Sequence, residues 1–281
     1  MSSPEQGLAA LESRARRIET PCGDGTMVWR VWGDGPALVL GHGGQGAWSH
    51  WVRNIDVLAQ HYTVIAPDLP GHGDSAMPGT VDHDTISAVI AEGMQELLGE
   101  GELADFVGFS FGGAVFTHFA ARYPELVRRV VIVGTGGLDT PHGHIELGRV
   151  GGLQGEERRA AIKRNLLGLM LHHPETVDDM AMHLLVSNGR QARLPVVDLV
   201  IPDKVLEALP RLTVPLDALW GEFDRPHPDP GLQESVLRRF QPDMGFRVIA
   251  DAGHWAMYER SDAFNAALLD MLGQPPREFR P

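Results

Sequence analysis

The chain has 281 residues, 43% of them apolar and 22% charged, which allows a large buried core and argues against a disordered chain. Its net charge of −13, from 24 basic and 37 acidic residues, argues against nucleic acid or an anionic membrane as partner. The single cysteine, Cys22, excludes an intrachain disulfide, and without an apolar leader or a run near the ~20 residues that span a bilayer, a soluble cytoplasmic protein is predicted.

Short apolar runs alternate with helical patterns along the chain. Strands are predicted at 26–32, 37–40, 62–66, 104–109, 127–133, 216–220 and 246–250. Their runs are continuous rather than alternating, as in a parallel sheet covered on both faces. Between them, 85–98 carries Ile86, Val89, Ile90, Met94, Leu97 and Leu98 on one helical face. Residues 112–123 form a second helix, stopped by Pro124, and 262–272 a third. Alternating strand and helix predicts an α/β class, a doubly wound and mostly parallel sheet.

Residues 137–213 break that rhythm. No strand is evident there, and helices are predicted at 156–170, 174–186 and 204–209. The basic cluster from Arg158 to Arg164 is interleaved with Glu156 and Glu157 and reads as a solvated helix face. A helical insertion between two parallel strands lies over the carboxyl edge of the sheet, where ligands bind. The expected organisation is therefore a core of 1–136 and 214–281 with a helical cap at 137–213. The tail, 273–281, carries no evident role.

Gly108-Phe109-Ser110-Phe111-Gly112 reads G-x-S-x-G, placed between a strand and a helix. A sharp turn there exposes a serine hydroxyl at the positive end of a helix, and glycines on either side relieve the crowding. A serine needs a base within hydrogen-bond reach and an acid to orient that base. Downstream, Asp224 follows one strand and His254 the next, so Ser110, Asp224 and His254 are the candidate catalytic residues. Glu222 is the rival to Asp224, which lies further into the loop. Gly41-His42-Gly43-Gly44-Gln45-Gly46 follows another strand and can aim a backbone N–H at a developing oxyanion. Gly44 is the first candidate, Gln45 the second, with Phe111 N–H as the other donor. His42 is read as tying this loop together. The pair His172 and His173 is not read as a metal site, and no metal or organic cofactor is expected.

These motifs, together with Asp68-Leu69-Pro70-Gly71-His72-Gly73-Asp74-Ser75, resemble the α/β-hydrolase superfamily over nearly the whole chain. Within it the chain resembles the meta-cleavage product C–C hydrolases and their esterase relatives. That resemblance implies substrate-binding roles for Trp255, which follows His254, and for a cap arginine, Arg190 or Arg193, holding a carboxylate. It also marks Phe109, which stands where those C–C hydrolases carry asparagine. The expected activity is hydrolysis of carboxylic esters of a small molecule. C–C hydrolysis of a vinylogous diketo acid, halide oxidation through a peracid and a receptor-like binding module are the alternatives. The sequence leaves oligomeric state open.

Overall fold

Consecutive positions on a strand face opposite sides of a sheet, so an unbroken apolar run needs cover on both. The computed structural model, which describes residues 3–275, provides it. Among the described residues eight strands form one sheet: β1 (Arg16–Cys22), β2 (Gly25–Trp32), β3 (Ala37–Gly41), β4 (Thr63–Asp68), β5 (Ala104–Phe109), β6 (Val127–Val133), β7 (Leu216–Gly221) and β8 (Phe246–Ile249). They lie in the order β1-β2-β4-β3-β5-β6-β7-β8; the pairings of β2 with β1 and β4 are antiparallel and the rest parallel.

The helices are α1 (Pro4–Glu12), α2 (Ile55–Leu58), α3 (His83–Leu97), α4 (Phe111–Arg122), α5 (Gly155–Leu169), α6 (Asp179–Gln191), α7 (Lys204–Ala208), α8 (Pro230–Leu237), α9 (Ala256–Glu259) and α10 (Ser261–Gly273). On one face of the sheet, Val39, Phe106, Val130 and Trp220 pack with Ile86 and Met94 of α3 and Phe116 and Phe119 of α4. On the other, Leu40, Val107, Val131 and Leu219 pack with Phe264 and Leu268 of α10. Neighbouring strand positions thus feed different clusters, which is why the runs are unbroken. None of the described helices is long and apolar enough to cross a membrane.

Several elements differ from the sequence reading. β1 was not expected; its residues are mostly exposed and polar, because it is an antiparallel edge strand with little to bury. β4 runs to Asp68, because pairing with β2 extends through Pro67 and Asp68. The helix expected at 174–186 is interrupted: a short 3₁₀ turn spans Pro174–Thr176, and α6 starts afresh where the Asp178 side chain accepts from Ala181 N–H. α1 and α8 were also missed, although each has proline at its start and a capping side chain, Ser3 and Asp229. Of the tail, residues 276–281 lie outside the described residues.

The strand order turns back between β3 and β5, leaving a crevice at their carboxyl ends. The loops after β3, β5, β7 and β8 all open at this edge, and α5, α6 and α7 fall in the chain between β6 and β7.

Candidate active site

Ser110 closes β5 and opens α4 with φ 50° and ψ −112°, a left-handed conformation that costs a non-glycine residue on the order of 1–3 kcal/mol. Its N–H is held by Val133 O at 2.8 Å, and the neighbouring elements come too close for side chains. A Cβ on Gly108 would lie 2.5 Å from the backbone of Gly112, and one on Gly112 would lie 2.7 Å from His42 O. The two glycines of the motif are therefore steric requirements of the turn. The hydroxyl is left half-buried at the wall of a cavity of about 330 Å³.

His254 and Asp224 arrive from the loops after β8 and β7. His254 Nδ1 lies 2.8 Å from Asp224 Oδ2, and the two side chains are 5% and 0% exposed, so water scarcely competes for the contact. The other carboxylate oxygen accepts from His227 N–H at 2.9 Å. With Nδ1 engaged by the carboxylate, Nε2 is the ring nitrogen free to take a proton. The Phe109 ring lies 4.8 Å from the imidazole between centroids and fills its flank. Ser110 and His254 line the same cavity, yet no hydrogen bond joins the hydroxyl to the ring among the described residues. Such bonds commonly tighten only around a bound substrate. Glu222 is elsewhere: its carboxylate accepts from Asp251 N–H at 2.9 Å.

The loop after β3 faces Ser110. A Cβ on Gly43 would lie 2.8 Å from the Phe109 ring and 3.4 Å from Ser110 Cβ, so only glycine lets this backbone approach. Gly43, Gly44, Gln45 and Phe111 all line the cavity, and Gln45 has φ 53°. The loop is braced by two histidines. His42 Nε2 accepts from Leu69 N–H at 2.9 Å, and His50 Nδ1 accepts from Gly43 N–H at 3.3 Å. Burial pushes His50 down to about 3 and His42 well below the usual imidazole range, so both act as neutral acceptors. In the turn after β4, the buried Asp68 carboxylate accepts from Trp48 N–H and Asp74 N–H and pairs with Arg30.

Three of the expected substrate contacts do not reach this cavity. Trp255 is 1% exposed, donates its indole N–H to His50 O at 3.0 Å and stacks on Tyr258; it braces the loop from behind. The Arg193 guanidinium is spent on the carbonyls of Gly73, Gln191 and Ser75. Arg190 is exposed and lines a neighbouring recess with Arg158 and Asn165, off the Ser110 cavity. Phe109 does line it.

Of the other cavity residues, Leu169 and Met170 belong to the helix predicted at 156–170 and to the apolar cap side chains expected to offer a pocket wall, whereas the rest were not singled out from sequence. Leu169, Met170, Val196, Val197, Val200 and Ile201, from between β6 and β7, make most of it apolar. His142 and His227 are polar exceptions. Neither had a local pattern to separate it from the chain's 13 histidines.

Glu259, 5% exposed, was missed as well. Its carboxylate accepts from the N–H groups of His172, His173 and Gly253 and from the Thr176 hydroxyl at 2.6–3.0 Å. Trp255 N–H also donates to Met170 O at 2.8 Å. The loop that carries His254 is thereby fastened to the segment just after α5, whose Met170 lines the cavity.

A family model described as the alpha/beta hydrolase fold matches residues 36–162. The chain is 32% identical to a 2-hydroxy-6-oxononadienedioate/2-hydroxy-6-oxononatrienedioate hydrolase of Paraburkholderia phymatum, over 84% of this chain and 87% of that one. It is also 32% identical to a 2-hydroxy-6-oxo-6-phenylhexa-2,4-dienoate hydrolase of Burkholderia cepacia, over 85% and 88%. In fold it is similar to the carboxylesterase CesB of Bacillus subtilis, with a TM-score of 0.78 and 19% identity over 96% and 95% of the two chains.

Proposed function

The chain belongs to the α/β-hydrolase fold family, and from that premise we propose that it is a serine hydrolase of neutral carboxylic esters. Ser110 attacks the ester carbonyl while His254 Nε2 takes its proton. Asp224 holds the imidazole in the required tautomer and stabilises the imidazolium. Backbone N–H groups of Gly44 and Phe111 receive the oxyanion, with Gln45 the alternative to Gly44. His254 then protonates the leaving alcohol, and water activated by the same ring releases the acid. Residues 137–213 act as a cap whose apolar side chains line the pocket.

The observation that carries the ester reading is the cavity lining. Its polar side chains are Gln45, Ser110, His142, His227 and His254, and no arginine or lysine is present among the described residues that line it. Desolvating an unpaired carboxylate there would cost several kcal/mol. A neutral ester carries no such penalty.

The names of the two relatives favour a second reading, C–C bond hydrolysis of a dienoate. It requires a cation for the substrate carboxylate, and Arg190 would have to swing in from its exposed position. The two readings separate on purified protein assayed with p-nitrophenyl butyrate and with a meta-cleavage dienoate. Ester turnover should exceed dienoate turnover in kcat/KM, fall by at least about 10³-fold in Ser110→Ala and change less than about twofold in Arg190→Ala. Ester turnover by Ser110→Ala within tenfold of wild type would end the serine mechanism. Preferred turnover of the dienoate, lost in Arg190→Ala, would replace the ester reading with the C–C one.

A further inference from the structure

His227 sits three residues beyond Asp224, and its backbone N–H supports that carboxylate, but its imidazole takes no part in the chemistry above. The ring lines the Ser110 cavity 5.9 Å from the ring of His254 and 5.2 Å from that of His142, between centroids. The residue is 4% exposed, and its Nδ1 is buried without a protein partner. On its other side the Trp220 ring lies 6.0 Å away, and that indole N–H is likewise buried and unpaired. Buried polar atoms are nearly always satisfied, and an orphan costs on the order of 1–3 kcal/mol. Of the two, only His227 lines the cavity, and its unpaired ring marks that wall as a place where a ligand supplies the missing partner.

Burial pushes His227 down to about 4, so the ring is uncharged at neutral pH. A neutral imidazole presents one donor and one acceptor, which suits a hydroxyl and gives a carboxylate no compensating charge. Beyond these two rings, Gln45 and the Ser110–His254 pair, the side chains of the wall are apolar, so the subsite is small. Its closeness to His254 places it near the scissile carbonyl, not at the end of a long chain.

We propose that His227 and His142 form a hydroxyl-recognition subsite, making the preferred substrates esters with a hydroxyl close to the carbonyl. The inference rests on the serine-esterase reading and specifies its substrate class. The readout is the ratio of kcat/KM for p-nitrophenyl 3-hydroxybutyrate to that for p-nitrophenyl butyrate, in which any loss common to both esters cancels. The wild-type ratio should exceed one and fall about tenfold in His227→Val, the worth of one hydrogen bond to a buried group. His142→Ala, at an exposed loop position that puts little of the fold at risk, should lower it severalfold. A ratio unchanged in both variants, or a wild-type preference for the plain butyrate, overturns the subsite while leaving the esterase intact. Wild-type turnover of neither ester overturns the esterase reading itself.

Discussion

Glu259→Gln tests whether the loop bearing His254 is held by its attachment to the segment just after α5. The carboxylate has two faces. Oε1 accepts from His172 N–H at 2.9 Å, His173 N–H at 2.7 Å and the Thr176 hydroxyl at 2.9 Å. Oε2 accepts from Gly253 N–H at 2.6 Å and shares His172 N–H at 3.0 Å. An amide keeps one acceptor, and its NH₂ must point at donors whichever way it turns. The less costly orientation puts the NH₂ toward Gly253, losing one charge-assisted bond and opposing a buried N–H to another donor. At about 1.5–3 kcal/mol for the bond and about 1–3 kcal/mol for the orphaned donor, with some relaxation between them, the loss of stability should be about 2–4 kcal/mol. Because Gly253 precedes His254, kcat for p-nitrophenyl butyrate should fall by more than KM changes. Urea unfolding gives the first quantity and initial rates the second. A variant within about 0.5 kcal/mol and twofold in kcat of wild type would refute the reasoning.

Asp224→Asn leaves the shape of the site but presents an NH₂ or a weaker acceptor to His254 Nδ1. Ester kcat should fall about 10⁴-fold near neutral pH, and a loss below tenfold would remove Asp224 from the mechanism. The buried histidines predict acid sensitivity of the fold. Burial holds His42, His50, His72 and His227 below the usual imidazole range, to about 3 for His50 and about 4 for His72 and His227, whereas in the unfolded chain they titrate near ~6.5. The unfolded chain therefore binds more protons between pH ~6.5 and ~4. Stability from these groups is complete above that window and is lost as pH falls through it, at up to roughly 5 kcal/mol per pH unit for the four together. The urea midpoint should drop steeply between pH 6.5 and 5, and a flat midpoint there would contradict the burial argument.

Ser110, Asp224 and His254 were legible because each follows an apolar run that reads as a strand, and the ends of parallel strands share one edge. The backbone demands of the Ser110 turn also write themselves into the sequence as Gly108 and Gly112. The polar edge strand β1 lacked that signature, although Gly23-Asp24, the two-residue loop joining it to β2, was a hairpin signal that went unread. The start signals of α1 and α8 were present too, a capping side chain followed by proline. Side-chain direction is a different matter. Trp255 adjoins His254 in sequence yet turns to the back of the loop, and Arg193 lies in the right segment yet grips the turn after β4. His142 and His227 come from loops 85 residues apart and acquire a shared role only through folding.

The segment between β6 and β7 is moored at several points. Met170 O receives Trp255 N–H, and Arg193 N–H reaches Gly71 O. The stacked rings of His83 and His118 pair with the carbonyls of Leu199 and Lys204. Leu147 and Val197, 54% and 65% exposed, line the mouth of the cavity. A roof tied down on so many sides works as a fixed aperture. On the proposed ester reading, selection among substrates then falls to the girth admitted past those two exposed side chains, and widening the catalogue of accepted molecules calls for trimming the doorway instead of loosening the hinges.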